Sequence, residues 1–289
     1  MNLPELGLGG GPLGNYLRAI SDEEAEAVVA AAWEAGIRYF DTAPYYGLGL
    51  SERRLGRALR GLPRSSYLLS TKAGRLVRPG PGGERLFEVP GDRHAAWDFS
   101  RDGVLRSLEE SLERLGLDRV DILLLHDPDH HWRQAVEEGF PALAELRSQG
   151  VVGAIGVGMN QSRMLVDFVN HTDPDVLLAA NQLTLLRRTA LEELVPLCAS
   201  RGIRVVAGSV FHRGLLADPP LDAPPEVARM ARACARHGVT LAGAAMRFPL
   251  RQPGVSSVLI GAHAPTLVKT NVEAFWQPVP EELWAELSA

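Results

Sequence analysis

Three short apolar runs in this chain each end in a side chain that can do chemistry. Tyr39-Phe40 runs into Asp41, Leu68-Leu69-Ser70-Thr71 into Lys72, and Ile122-Leu123-Leu124-Leu125 into His126. The segment that follows Asp41, Thr42-Ala43-Pro44-Tyr45-Tyr46-Gly47, places Tyr46 five residues beyond the carboxylate. A carboxylate, a phenol, an ammonium and an imidazole form a set for holding and moving protons on a polar substrate. Taken singly, each has an ordinary explanation: a cap, a half-buried ring, a structural histidine. Packing alone does not explain why three of them end apolar runs and the fourth stands on the loop after the first. The lysine adds weight. Of 30 basic residues only Lys72 and Lys269 are lysine, the rest being arginine. A compact ammonium and a planar guanidinium are not interchangeable, so Lys72 stands out against the habit of the chain.

The elements that position these residues can be read from the hydrophobic pattern. Strands are expected at Leu6–Gly9, Tyr39–Asp41, Tyr67–Lys72, Ile122–His126, Ala154–Gly158, Val176–Ala179, Arg204–Ala207 and Ser257–Ile260. Amphipathic segments between them predict helices near Asp22–Ala35, Glu52–Leu59, Arg101–Leu115, Ala142–Gln149, Met164–Val169, Leu191–Ser200, Pro225–His237, Leu241–Phe248 and Thr266–Phe275. Ser21 and Glu24 form a capping box ahead of the first helix. Val104, Leu105, Leu108, Leu112 and Leu115 share one face of another. Alternating strands and helices in 289 residues predict one α/β domain, a (β/α)8 TIM barrel spanning residues 1–289. Such barrels carry their sites at the C-terminal ends of the strands, where Asp41, Lys72 and His126 fall. A doubly wound sheet would need a phosphate-binding fingerprint between the first strand and helix. In Gly7-Leu8-Gly9-Gly10-Gly11-Pro12 a proline takes the third glycine's place and the helix begins ten residues later. That cluster reads as a turn passing close to something bulky. Residues 75–98, rich in glycine and proline, read as one long irregular loop on the substrate side.

Bulk properties exclude several classes. Net charge is −5 with both signs interspersed, unlike the basic stripe of a nucleic-acid binder. No apolar run reaches the roughly 18 residues a membrane helix requires. The N-terminal residues lack the pattern of a signal peptide. The expectation is a soluble cytoplasmic protein, monomeric or a small homo-oligomer. His126-Asp127-Pro128-Asp129-His130-His131 lacks the spacing of familiar zinc motifs, so no metal is expected.

Gly36-Ile37-Arg38-Tyr39-Phe40-Asp41-Thr42-Ala43-Pro44-Tyr45-Tyr46-Gly47 resembles the signature of the aldo-keto reductase family. Leu69-Ser70-Thr71-Lys72 resembles its lysine strand and Asp121-Ile122-Leu123-Leu124-Leu125-His126 its histidine strand. The likeness continues to Val258-Leu259-Ile260-Gly261-Ala262 and Asn271. Ser100 to Leu108 and Gly156-Val157-Gly158-Met159-Asn160 resemble the branch of sugar dehydrogenases acting on L-fucose, D-threo-aldoses or L-galactose, together with pyridoxal 4-dehydrogenase. The resemblance implies hydride transfer between a nicotinamide and a carbonyl, lactol or alcohol, with Tyr46 moving the proton. Free tyrosine titrates near about 10. An adjacent cation favours phenolate, and Lys72 supplies it. Asp41 would keep the ammonium from being buried alone, and His126 would orient the substrate oxygen.

The resemblance also assigns Asn160 and Gln182 to the nicotinamide carboxamide, with Ser209 nearby, and Gly261 and Asn271 to the adenosine end. The aromatic residue that commonly stacks on the nicotinamide aligns with Gly208, which leaves Phe211 as its substitute. Relatives that prefer NADP place Lys and Arg where this chain has Gly261 and Leu267. Because a 2′-phosphate favours arginine forks, the cofactor is NAD or NADP with NAD expected. Tyr16, Trp97 and His212 are candidate walls of the substrate pocket, and the substrate is a small carbonyl compound or sugar. Two other readings stand beside an aldose dehydrogenase. One is a general NADPH-dependent aldehyde or ketone reductase. The other is a nucleotide-binding regulatory subunit, against which the intact tetrad argues.

Overall fold

The computed structural model describes residues 1–82 and 86–288. Its centre is a closed barrel of eight parallel strands. They are β1 (Leu6–Gly9), β2 (Tyr39–Asp41), β3 (Leu68–Ala73), β6 (Ile122–His126), β7 (Ala154–Met159), β8 (Val176–Ala180), β9 (Arg204–Gly208) and β10 (Val255–Ile260), which pairs back onto β1. Between β3 and β6 lie β4 (Arg75–Pro79) and β5 (Arg93–Trp97), an antiparallel hairpin outside the barrel. All eight expected barrel strands are present, with ends shifted by two residues at most.

The two-residue strand period sorts side chains to opposite faces. Tyr39, Ile122, Leu124, Ala154, Val176, Leu178, Val206 and Leu259 fill the barrel interior. Phe40, Leu69, Leu123, Leu125, Ile155, Leu177 and Val205 point outward into the layer shared with the helices. The register pairs Asp41 with Ser70 and Lys72 with Leu124. Continuing the inward alternation past Tyr39, Leu124 and Ser70 therefore brings Asp41, His126 and Lys72 to one end of the interior.

The helical expectations hold with two revisions. In α1 (Asp22–Glu34) the Ser21 hydroxyl accepts from the Glu24 amide at 3.1 Å, and the Ser21 amide donates to the Glu24 carboxylate at 2.7 Å. In α3 (Arg101–Leu115) Val104, Leu108 and Leu115 are buried, with Leu105 and Leu112 packed on the same core. The helix expected from Ala142 begins ten residues earlier, at Trp132, and passes through a π turn at Ala135–Gly139. Pro141 has no amide hydrogen to donate, which hid that start. A further helix, Glu281–Ser288, buries Leu283, Trp284 and Leu287.

The segment read as one irregular loop is corrected by the β4–β5 hairpin, paired from Arg75 with Trp97 to Pro79 with Arg93. Buried Leu76 and Val77 anchor its first strand. Pro79 ends the first strand, and Gly80, Pro81, Gly82, Pro90 and Gly91 fall between the two strands. Residues 83–85 of the segment lie outside the described residues. The early glycine cluster does pass close to bulk: a Cβ on Gly7 would lie 2.8 Å from both Leu259 and Tyr39.

α2 (Leu50–Leu59) carries Glu52, fully buried where α2, α3 and β3 meet. It accepts from the Thr71 hydroxyl at 2.8 Å and from Arg114 Nε at 2.6 Å. Removing one partner of a buried pair strands the other. Glu52→Ala is expected to cost about 3 kcal/mol, the low end for such losses, because Glu110 remains 3.6 Å from Arg114. The urea midpoint at an unchanged m-value checks this; a loss under about 1 kcal/mol would contradict a structural role for the pair.

Candidate active site

The four residues singled out by type and spacing meet at the C-terminal mouth. Lys72 Nζ donates to Asp41 Oδ2 at 2.7 Å, to the Thr42 carbonyl at 2.9 Å and to the Tyr46 hydroxyl at 3.1 Å. The other Asp41 oxygen accepts from Ser70 Oγ at 2.7 Å, and Ser70 exchanges a 3.1 Å bond with the Tyr39 hydroxyl. The ammonium thus has all its donors engaged. His126 meets the Tyr46 ring edge-on, with centroids 5.7 Å apart. Lys72, Asp41 and His126 are buried, while Tyr46 keeps partial exposure toward the mouth. The Tyr46 loop is held by a close backbone approach: a Cβ on Gly47, which has φ +64°, would run into the Gly14 carbonyl. A side chain there would displace the loop.

Electrostatics assign the resting protonation states. Burial works against the Lys72 ammonium, but Asp41 and Tyr46 outweigh it and the net shift is upward. Burial also raises Tyr46, and the nearby Lys72 cation only partly offsets it. Lys72 does favour the phenolate, as expected, but the net shift is upward rather than downward: in the free protein Tyr46 rests as a phenol, poised to donate. Burial, then the Arg75 and Lys72 cations, hold His126 well below 6.5, so its imidazole is neutral. Its Nδ1 is buried without a hydrogen-bond partner among the described residues.

A stability consequence follows from that histidine. Below about pH 6.5 an unfolded chain protonates His126 while the folded one refuses the proton. Stability therefore falls with pH in that window, by up to about 1.4 kcal/mol per unit for this one group. His126→Asn removes the titrating group, so its stability curve from urea melts should be flatter below pH 6.5 than the parent's. Parallel curves would contradict a neutral buried imidazole.

The residues assigned to a nicotinamide cofactor follow successive strand ends around the other half of the mouth. Asn160 follows β7, Gln182 follows β8, Ser209 and Phe211 follow β9, and Gly261 follows β10, with Asn271 on the helix Pro265–Trp276. The two halves touch where Asn160 Nδ2 donates to Asp127 Oδ1 at 3.4 Å. Gln182 accepts from Thr189 at 2.7 Å through its oxygen, which leaves its amide hydrogens for a ligand. The Asn181 side-chain oxygen is buried without a hydrogen-bond partner among the described residues. Asn271 is buried with no side-chain hydrogen bond among the described residues. Backbone strain marks the same rim, with positive φ at Asp127 (43°), Asn181 (59°) and Ser209 (55°). These unspent polar groups fit a polar cofactor lying across the mouth.

The candidate pocket walls separate. Tyr16 reaches the tetrad through Phe87, 5.6 Å from Tyr16 and 6.0 Å from Tyr46. Trp97 stacks on His131 at 5.4 Å and stays 43% exposed, so it forms an outer wall. His212 shares a 2.6 Å bond with the Thr184 hydroxyl, between the loops after β8 and β9. Phe87 was missed by sequence reading; its only signal was an apolar pair, Leu86-Phe87, inside a polar, glycine-rich stretch. Ser70 was legible in principle, being two residues before Lys72 and so on the same face.

The profile of the Aldo/keto reductase family matches residues 5–289. The chain belongs to the aldo/keto reductase family. The chain is 45% identical to D-threo-aldose 1-dehydrogenase of a Pseudomonas species, over 99% of its own length and 93% of that protein. It is 36% identical to pyridoxal 4-dehydrogenase of Microbacterium luteolum, over 99% and 94%. The holo form of an aldo-keto reductase from Bacillus halodurans superposes with a TM-score of 0.78 at 27% identity, covering 98% of this chain and 91% of that one. Among the described residues no helix of this reductase is long and apolar enough to cross a membrane.

Proposed function

We propose that this protein oxidises the lactol form of an aldose to its lactone, with NAD as the preferred acceptor. The observation that carries the reading is Lys72 Nζ bonded at once to the Asp41 carboxylate and the Tyr46 hydroxyl. That arrangement makes a buried phenol a reversible proton carrier. The 45% identity to a D-threo-aldose dehydrogenase supports an aldose as the substrate.

A bound nicotinamide supplies the hydride acceptor in oxidation and the donor in reduction. Tyr46 takes the proton from the C1 hydroxyl as that carbon gives up its hydrogen with the bonding pair, and the oxygen becomes the lactone carbonyl. His126, neutral, holds the same oxygen as a hydrogen-bond partner. Asn160 and Gln182 would hold the carboxamide, Ser209 and Phe211 would lie beside it, and Gly261 and Asn271 would hold the adenosine end. Gly261 supports the NAD preference, since a Cβ there would lie 2.9 Å from Pro12 and a lysine would need the loop to move. Tyr16 through Phe87, Trp97 and His212 would bound the sugar.

The test is a matrix of aldoses and simple aldehydes against NAD+, NADP+, NADH and NADPH, followed by nicotinamide absorbance. Oxidation of an aldose with a higher kcat/KM for NAD+ is the expected result. Aldehyde reduction with NADPH and no aldose oxidation would transfer the protein to the general-reductase reading. Equal rates with both nucleotides would remove the NAD preference alone.

A further inference from the structure

Next to the tetrad lies a charged cluster that proton and hydride transfer leave unused. Arg75, the first residue of β4, is buried, and its Nη2 donates to Asp127 Oδ2 at 2.6 Å. Its guanidinium carbon is 4.2 Å from the Tyr45 ring centroid and 4.1 Å from that of Trp97. Arginine stacked between two rings has a fixed orientation, so it fixes the carboxylate it binds. Asp127 is held at φ +43°, a strained conformation for a residue with a side chain. Oδ2 also lies 3.6 Å from His126 Nε2, and Oδ1 accepts from Asn160. The carboxylate therefore sits between the imidazole that faces the reacting oxygen and the amide assigned to the cofactor. It is partly open to the mouth.

We infer that Asp127 reads the hydroxyl on the carbon next to the reacting one, and that Arg75 is the positioning residue that aims it. The inference rests on the aldose reading above. An ionised carboxylate offers about four acceptor sites, and the Arg75 and Asn160 contacts leave some of them free. A substrate oxygen shared by Tyr46 and His126 puts the neighbouring carbon's hydroxyl beside Asp127, where it donates a charge-assisted hydrogen bond. A substrate without that hydroxyl leaves one acceptor site of this largely buried carboxylate unmet. Sites built to bond a hydroxyl reject the analogue lacking it far more strongly than sites that only measure size. The pair thus selects for polyhydroxy substrates over plain aldehydes.

D-Arabinose, whose C2 and C3 have the D-threo configuration, and 2-deoxy-D-ribose, which differs from it only by lacking the C2 hydroxyl, isolate this contact. With NAD+ or NADP+ the parent protein should favour D-arabinose. Asp127→Asn should reduce that preference roughly tenfold or more by lowering kcat/KM for D-arabinose, with 2-deoxy-D-ribose little changed. Arg75→Met should raise KM for D-arabinose more than it lowers kcat, and Arg75→Lys should recover part of the loss. Nucleotide affinity, read by fluorescence quenching, should hold in all three variants. An Asp127→Asn protein that keeps the parental preference, or loses both sugars equally, overturns the inference, as does a parent that treats the two sugars alike. If Asp127→Asn does not fold, a parental preference in Arg75→Met overturns it as well. A parent that oxidises neither sugar counts instead against the aldose reading.

Discussion

Tyr46→Phe is expected to lower kcat/KM about a thousandfold, within the range that general acid–base catalysis contributes. The substitution removes one oxygen, and Lys72 keeps its bonds to Asp41 and to the Thr42 carbonyl. The fold should lose no more than the order of 1 kcal/mol of one hydrogen bond. Nucleotide affinity should also stay level, because the assigned cofactor residues lie on other strand ends. The pH profile of the parent adds a signature. Burial raises Tyr46, so the phenolate needed for oxidation gains population only as pH climbs, and the oxidation rate should rise through the alkaline range. Reduction uses the phenol and should hold steady until that same limb. Tyr46→Phe should abolish the limb along with the rate. Turnover within about tenfold of the parent would mean that another group moves the proton.

Lys72→Met should be costly in two separable ways. The ammonium is the counter-charge of Asp41 inside the barrel, with both side chains nearly inaccessible. Its loss leaves a buried carboxylate supported, among the described side chains, by the Ser70 hydroxyl. Breaking a buried pair from one side typically costs about 3–5 kcal/mol, and urea melts should show a loss of that size. It also removes the cation that opposes the upward shift of Tyr46. The oxidation limb should then move further alkaline while the rate falls by about a hundredfold or more. The double variant Asp41→Asn, Lys72→Met removes both charges and should recover much of the stability, as replaced buried pairs often do. Activity should not return with it. Recovery of both together would show that the pair acts only on folding.

How much of this was legible in the sequence depended on whether local pattern or long-range contact set each feature. Short apolar runs marked the barrel strands, and their ends brought out Asp41, Lys72 and His126 without any structure, because a run and its end are local features. The Tyr46 loop followed from the same stretch. The hairpin from Arg75 to Trp97 was hidden, since a segment rich in glycine and proline drew attention away from a buried apolar pair, Leu76 and Val77. Arg75 looked like one more surface arginine in a chain full of them; only the rings of Tyr45 and Trp97 and the carboxylate of Asp127 reveal its place. Glu52 likewise reads as a helix-surface residue until Thr71 and Arg114 close over it. The protonation of Tyr46 was misjudged for a related reason: sequence supplied the neighbouring cation, whereas burial, which outweighs it, is a property of the folded mouth.

The most direct measurement follows the hydrogen itself. The protein is incubated with D-arabinose carrying deuterium at C1 and with NAD+ or NADP+, and the reduced nucleotide is examined by mass spectrometry. Deuterium in the reduced nicotinamide from the parent, and none formed by Tyr46→Phe on the same timescale, is the predicted result. Reduced nicotinamide without the label, or label transferred equally well by Tyr46→Phe, would contradict it.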